Sequence, residues 1–167
     1  MGDDTAMNDL PSGPFIGRDT FRDRLRAGLC AAGAQGWSEL VLSDADFHDW
    51  PLGERVVVDA LTAWIRGPHR MTMLAKTYDD VPRQHARFVE WRRFWAHKIE
   101  CRICREADAL ELPSAFWSPD WTLRRMDPLH SNGICNSDPG RRKLLREEID
   151  GWLVRSGSGF PAYTLGL

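Results

Sequence analysis

The chain has 167 residues, 43% of them hydrophobic, and its formal net charge at neutral pH is −2. A chain of this length usually folds as one domain that buries about 70% of its unfolded surface, and no stretch of about eighteen apolar residues predicts a membrane span. The small net charge gives no general electrostatic reason to expect nucleic acid or an anionic lipid surface as a partner.

The first sixteen residues differ in composition from the rest of the chain. Residues 1–16 combine glycine, proline and several Asp and Asn residues without periodicity, which predicts a flexible tail before a single domain over residues 17–167. The first residues are acidic and no apolar segment follows them, unlike a secretory signal. The chain also has four cysteines, which fit free thiols in a reducing compartment, so we predict a cytoplasmic protein.

The first regular element is a helix that Asp19 or Thr20 can cap and that runs to about Gly33. Its apolar residues recur at helical spacing and predict one buried face. They are Phe21, Leu25, Leu29 and Ala32.

Residues 36–76 predict a β-α-β unit. A strand over residues 37–43 ends in an acidic turn over residues 44–51, and a helix then carries one apolar face until it stops at Gly67-Pro68. That face consists of Val57, Leu61, Trp64 and Ile65. The second strand, residues 71–75, should lie parallel to the first through a right-handed crossover.

A third helix is predicted from Pro82 to about Ala96, followed by a strand over residues 99–104. Its aromatic residues face the sheet in this prediction and its arginines form an outer basic side. The aromatic residues are Phe88, Trp91 and Trp95, and the arginines are Arg83, Arg87, Arg92 and Arg93. Such a charged face is typical of a solvated surface, and anion binding is the alternative.

From Arg105 the pattern changes to short strands. Residues 115–117 and 122–124 flank a hairpin turn, residues 133–136 form a further strand, and Asp138-Pro139 begins a final helix. That helix carries a stripe of Leu145, Ile149, Trp152 and Leu153, and residues 160–167 are apolar enough to dock on the domain. The chain therefore predicts an α/β fold with a mixed, mainly parallel sheet flanked by helices.

A zinc site can be drawn from the pair Cys101-x-x-Cys104 with His97, His130 and Cys135. Tetrahedral zinc needs ligands that converge, however. The alternation of residues 98–104 predicts a strand that points Cys101 and Cys104 to opposite faces. We therefore expect no metal site, and the absence of glycine-rich nucleotide motifs predicts no cofactor.

Several short segments carry a resemblance. They are the turn Asp49-Trp-Pro-Leu52, the strand Ile99-Glu-Cys-Arg102, the segment Leu112-Pro-Ser-Ala-Phe116, the stretch Ile149-Asp-Gly-Trp-Leu-Val-Arg-Ser156 and the ending Leu165-Gly-Leu167. With the order of elements, they make residues 20–167 resemble a family of uncharacterised bacterial proteins related to one half of the phospholipase D-like fold.

The resemblance implies a degenerate active site. Catalytic phospholipase D-like enzymes use His-x-Lys, four residues and Asp, because the histidine attacks phosphorus and the lysine neutralises phosphate oxygens. Aligned on Asp120, this chain has Pro113 and Ala115 in the histidine and lysine positions. A second alignment retains His130 but has Asn132 for lysine. Catalytic relatives pair two halves, so the resemblance implies a homodimeric binding or assembly module without catalysis.

Candidate ligand-binding residues follow from position. The acidic turn lies past the carboxyl end of a strand, where open α/β sheets bind ligands. With the two positions that the alignments retain, the candidates are Asp44, Asp46, His48, Asp49, Asp120 and His130. The ligand would be an unknown small or phosphate-bearing molecule.

Four other interpretations stay open. The turn carboxylates could instead cap the next helix, or could serve a phosphoester hydrolase. Weak nucleic-acid binding through the arginines of residues 82–96 is a third alternative, although the net charge argues against nucleic acid as a partner. Ser43 or Ser114 could join a catalytic triad, but no Gly-x-Ser-x-Gly motif surrounds either serine.

Overall fold

The computed structural model of the chain describes residues 10–161, which build one eight-stranded sheet with helices on both faces. The strands are β1 (Gly13–Phe15), β2 (Glu39–Ser43), β3 (Arg70–Ala75), β4 (Ile99–Ile103), β5 (Ser114–Trp117), β6 (Thr122–Asp127), β7 (Asn132–Asn136) and β8 (Gly157–Ser158). The helices are α1 (Arg18–Gln35), α2 (Arg55–Ile65), α3 (Val81–Gln84), α4 (Ala86–Phe94) and α5 (Pro139–Val154), with a 3-10 turn at Ala96–Lys98.

The predicted β-α-β unit is present. β2 and β3 are parallel, with Leu40 opposite Met71, and α2 connects them. β3 and β4 are parallel in the same way. Residues 40–43 of β2 are all buried because the strand lies between two covered faces, as its continuous apolar run predicted.

The prediction that the sheet is mainly parallel is wrong. Its order is β1-β7-β6-β5-β2-β3-β4-β8, and the other five of the seven neighbouring pairs are antiparallel. The physical reason lies in the connections. Antiparallel neighbours can be joined by short turns, as β5, β6 and β7 are, whereas each parallel pair needs a helical crossover. The described residues 10–161 contain only two such crossovers, both before residue 105, and β5 returns beside β2.

Two apolar layers enclose the sheet. α1, α2 and α4 pack with Leu40 and Leu42 of β2 in the larger layer. Val41 of the same strand contacts the smaller layer on the opposite face, where α5 contributes Leu145 and Ile149. The predicted buried faces of α1 and α2 are confirmed, since all eight of their named apolar residues are at most 1% exposed. Between residues 10 and 161, no helix combines the length and apolarity needed to cross a membrane.

The helix predicted from Pro82 to Ala96 is interrupted. His85 has φ −134° and ψ 50°, so that α3 ends before it and α4 begins after it. Its ring nitrogen Nε2 lies 2.8 Å from the carbonyl oxygen of Phe47, a tertiary contact made at the break. The prediction that all four arginines form an outer basic side is also wrong, because Arg92 is 6% exposed and lies in the core.

The predicted flexible tail extends too far. β1 pairs with β7, and Phe15 is buried and stacks on Phe21, so residues 13–15 belong to the sheet. Residues 1–9 of the predicted tail lie outside the described residues. At the other end of the chain, Phe160 stacks on Tyr78, as expected if residue 160 docks on the domain. The rest of the segment predicted to dock, residues 162–167, lies outside the described residues.

Candidate functional site

The acidic turn begins with Asp44, which directly follows β2 and is 1% exposed. Its carboxylate accepts four hydrogen bonds. Oδ1 accepts from Ser114 Oγ at 2.6 Å and from Arg125 Nη2 at 3.0 Å. Oδ2 accepts from the backbone N–H groups of Phe47 at 2.8 Å and Asp46 at 3.2 Å. Two oxygens have about four acceptor positions, so the hydrogen-bonding capacity of Asp44 is used within the chain.

Arg125 is the cation that holds the turn. It comes from β6, where it shares the core side of the strand with Leu123, and its side chain is 5% exposed. Its Nη1 donates to Asp49 Oδ2 at 2.9 Å, and its Nε donates to Ser114 Oγ at 3.0 Å. The guanidinium also lies 4.3 Å from the centroid of the Phe21 ring. A buried guanidinium requires such compensation, because its charge has left water.

The remaining turn residues lie nearer the surface. Asp46 Oδ1 accepts the backbone N–H of His48 at 3.0 Å, and partial burial raises the pKa of the Asp46 carboxyl. The exposed His48 ring faces Asp80 at 3.5 Å. Beneath them Phe47 has a left-handed backbone, with φ 58°. Its carbonyl oxygen contacts the His85 ring, and its N–H donates to Asp44.

The structure brings only some of the candidate residues together. Asp44, Asp46 and Asp49 share the turn. Asp120 does not approach them, because β5 runs antiparallel to β2 and carries the Ser118-Pro-Asp-Trp121 turn to the opposite end of the sheet. His130 follows β6 at the same end as the acidic turn, but its Nδ1 lies 2.7 Å from Asp127 Oδ2 and its side chain is 73% exposed.

Pro113 and Ala115, which the resemblance aligns with a nucleophile and a phosphate clamp, are apolar and buried. Ala115 is 0% exposed and belongs to the smaller apolar layer. The Pro113 carbonyl oxygen accepts a hydrogen bond from Ser43 Oγ at 2.6 Å. Ser114 donates directly to Asp44, with no histidine between the two groups. These contacts give Ser43 and Ser114 structural partners rather than a general base.

The cysteine pair lies on opposite faces, as the strand alternation predicted. Cys101 belongs to the larger apolar layer and Cys104 to the smaller one. Arg92 Nε donates to Cys101 Sγ at 3.2 Å, while burial raises the pKa of this thiol. Over residues 10–161, no group of three or more His, Cys, Asp or Glu side chains could hold a metal ion.

The arginines of residues 82–96 do not share one outer face. Arg92 reaches inward to Cys101 and to the carbonyl of Phe160. Arg87 Nη1 donates to the Gly53 carbonyl at 2.7 Å, and Arg93 pairs with Glu90 at 3.0 Å. Arg83 is exposed. The charges of Arg87, Arg92 and Arg93 are therefore divided among structural contacts.

α5 leaves a depression on each side. The one towards β6 and β7, which we name the α5 groove, has a volume of about 180 Å³. Its lining includes Arg124, Met126, Ile134, Arg141, Leu144 and Glu148. Met126 and Leu144 are 64% and 66% exposed. The α5 groove is thus an open, partly apolar surface.

The depression towards β3 and β4 is a polar cleft of about 580 Å³. Its charges largely pair with one another: Arg146 contacts both Glu39 and Asp150, and Arg102 contacts Glu100. Such mutual pairing leaves little unbalanced charge for an anionic ligand.

Two side chains organise the acidic turn, Arg125 and Ser114. Sequence reasoning missed Arg125 and considered Ser114 only as a possible member of a catalytic triad. A signal for Arg125 existed. The alternation of residues 122–127 places Leu123 and Arg125 on the same core side, so a buried arginine with acidic partners could have been predicted. The carboxylates that Arg125 contacts depend on how β6, β5 and β2 pair. Arg125 of β6 lies opposite Ser114 of β5, and the next residue of β5, Ala115, lies opposite Ser43 at the end of β2.

No protein-family model matches this chain, and no curated protein does. Among solved structures it is similar to TrmBL2, an archaeal chromatin protein whose structure is described as showing a novel mode of DNA binding. The TM-score is 0.65 at 13% sequence identity, and the match covers 90% of this chain and 55% of that chain. This chain therefore spans about half of the TrmBL2 chain, and the likeness concerns the fold.

Proposed function

We propose that this chain is a non-catalytic, phospholipase D-like module for binding and assembly that acts as a homodimer. The observation that carries the proposal is the use of the Asp44 carboxylate within the protein, where it accepts four hydrogen bonds and pairs with buried Arg125. A catalytic carboxylate must instead reach substrate, metal or a reacting proton. The apolar surroundings of Ala115 further support a site without a phosphate clamp.

The rival function is a phosphoester hydrolase that uses the acidic turn. Asp46 is the test residue, because its carboxylate is partly exposed and, within residues 10–161, accepts a hydrogen bond only from the nearby His48 amide. We expect no turnover of bis-p-nitrophenyl phosphate with Mg²⁺, Mn²⁺ or Zn²⁺. Turnover that disappears in Asp46→Ala but persists in the exposed control Asp59→Ala would replace our proposal by the rival.

The homodimer is tested by mass. Light scattering at micromolar concentrations should give about twice the 19.1 kDa of one chain. A monomer mass over the whole range would contradict the assembly part of the proposal, while leaving the absence of catalysis as a separate question.

A second candidate function is nucleic-acid binding, favoured by the likeness to a protein described as binding DNA. Contacts between arginines and phosphates release counterions, so binding of this kind falls steeply with salt. The exposed Arg83 and Arg87 are the residues of α3 and α4 to replace. Retention on DNA at low salt that the double alanine variant loses would support this candidate, and no retention at low salt would exclude it.

A further inference from the structure

The charges of α5 are segregated along its length. Arg141, Arg142 and Lys143 occupy its beginning, and Glu147, Glu148 and Asp150 occupy its end. Arg146 points to the polar cleft, where it pairs with Glu39 and Asp150. Of these charged residues, Arg141 and Glu148 line the α5 groove. Glu148 pairs with Arg124, whereas the adjacent Glu147 is exposed outside the groove lining.

Leu144 lies between these two charged ends. It is three residues after Arg141 and three residues before Glu147, and its side chain is 66% exposed in the α5 groove. Met126 of β6 is another exposed apolar side chain of the same groove, at 64%. Exposed apolar side chains that lie together in one depression are typical of a contact surface. Exposed apolar side chains scattered singly over a surface, in contrast, need no partner.

The arrangement is complementary to itself. A two-fold axis that passes beside Leu144 and pairs α5 antiparallel with α5 of a second copy places Arg141 of each copy opposite Glu147 of the other. Leu144 then meets its own counterpart, and both grooves are covered. Across residues 10–161, neither Arg141 nor Glu147 has a side-chain ion pair or hydrogen bond, so both charges are available for this contact.

We propose that the α5 groove is the two-fold interface at which a second copy of this chain docks. The inference rests on the proposed assembly function and gives it a location. Leu144 and Met126 supply the apolar centre, and the Arg141–Glu147 pairs supply the register and the antiparallel direction. Charge pairs at an interface rim mainly determine orientation and partner choice, while the apolar centre contributes most of the affinity.

The first experiment compares two leucines of nearly equal exposure. Leu144→Asp buries a carboxylate in the interface and should convert the dimer into a monomer in sedimentation equilibrium. Leu110→Asp is the matched control, because Leu110 is 63% exposed but lies in the loop between β4 and β5. It should keep the wild-type mass. Thermal unfolding of both variants checks that each remains folded, as expected at such exposed positions.

The second experiment exchanges the charges. Arg141→Glu places two acidic groups opposite each other and should weaken the dimer about tenfold at low salt. Glu147→Arg should weaken it similarly. The double variant Arg141→Glu, Glu147→Arg restores opposite charges across the axis and should recover most of the affinity.

The outcomes separate the two proposals. A wild-type dimer that Leu144→Asp leaves intact, or a charge exchange without recovery, overturns the α5 groove as the interface while the homodimer stands. A wild-type monomer up to about 100 µM overturns both, a concentration that still detects weak association. A wild-type monomer is also the result expected if the chain's own terminal residues, or another protein, cover the α5 groove.

Discussion

Arg125 connects the strands of the antiparallel half to the acidic turn after β2. Its guanidinium contacts Asp44, Asp49 and Ser114, and the Asp44 and Arg125 side chains are 2% and 5% exposed. Buried ion pairs of this kind add little net stability, but removal of one partner leaves an unpaired buried charge. The pair therefore acts as a constraint on the position of the turn.

Arg125→Met should lower the free energy of unfolding by about 3–5 kcal/mol, because Asp44 stays buried without its cation. Urea denaturation at neutral pH measures this loss. The control is Arg124→Met at the next residue, whose partner Glu148 is 39% exposed. A solvent-exposed pair contributes up to about 1 kcal/mol, so equal losses in the two variants would contradict a special role for Arg125.

His85 makes the free energy of unfolding depend on pH. Burial lowers the pKa of its ring below the ordinary value of 6.5, against the opposing effect of the Phe47 carbonyl. As the pH falls through about 6.5, the unfolded chain binds a proton at this histidine before the folded chain does. The free energy of unfolding should consequently decrease below that pH, until the folded ring also becomes protonated.

Urea denaturation between about pH 7.5 and about pH 5 measures this slope. His85→Gln should flatten it, and can retain a donor for the Phe47 carbonyl. The matched control is His97→Gln, at an exposed histidine. If His85→Gln leaves the slope unchanged, the pH dependence has another origin.

At the scale of the elements, α1 shows how close packing determines a helix sequence. Gly28 faces Trp121, and a Cβ atom built on it would lie 2.4 Å from Cζ3 of that ring. The ring cannot easily move, because it is 1% exposed and its Nε1 donates to the Pro11 carbonyl. A glycine that weakens the helix is therefore required by the contact between α1 and the β5–β6 hairpin.

Gly28→Ala should destabilise the protein by about 1–3 kcal/mol through overpacking, despite the better helix propensity of alanine. Gly33→Ala is the control in the same helix, where the nearest atom to a new Cβ is 3.9 Å away. It should stabilise by up to about 1 kcal/mol. Chemical denaturation of both variants decides, and a stabilising Gly28→Ala would contradict the close approach.

At the scale of the whole molecule, the sheet joins two parts of different design. Two parallel crossovers build β2, β3 and β4, and an antiparallel set of β5, β6, β7 and β1 completes the other half. α5 covers only part of the sheet face formed by β6 and β7, and it leaves the α5 groove open. The proposed dimer closes this groove, so it links the stability of the fold to protein concentration.

This linkage predicts a concentration-dependent thermal midpoint. If only folded chains dimerise, the midpoint should rise by about 3–6 °C between about 1 and about 100 µM protein. Leu144→Asp should show no rise, whereas Leu110→Asp should behave like the wild type. Differential scanning calorimetry at several concentrations provides the measurement, and a wild-type midpoint independent of concentration would contradict the dimer.

The amino-acid sequence by itself determined α1, α2 and α5, most strands, and the buried faces of α1 and α2. Apolar periodicity is local, so the core positions of α1 and α2 could be predicted, as could the start of α5 at Asp138-Pro139. Asp138 indeed accepts the backbone N–H of Arg141 at 3.0 Å. The acidic turn was also located correctly after β2, because a strand end is visible in the pattern.

Only the tertiary structure decided strand direction and what the turn contacts. β5 could pair with β2 or extend the sheet beyond β4, and the local pattern of either arrangement is the same. Its return beside β2 makes the sheet mostly antiparallel and brings Arg125 from 81 residues away to Asp44. Strand pairing depends on distant contacts, and these contacts place Asp44 and Arg125 in a buried, internally bonded network.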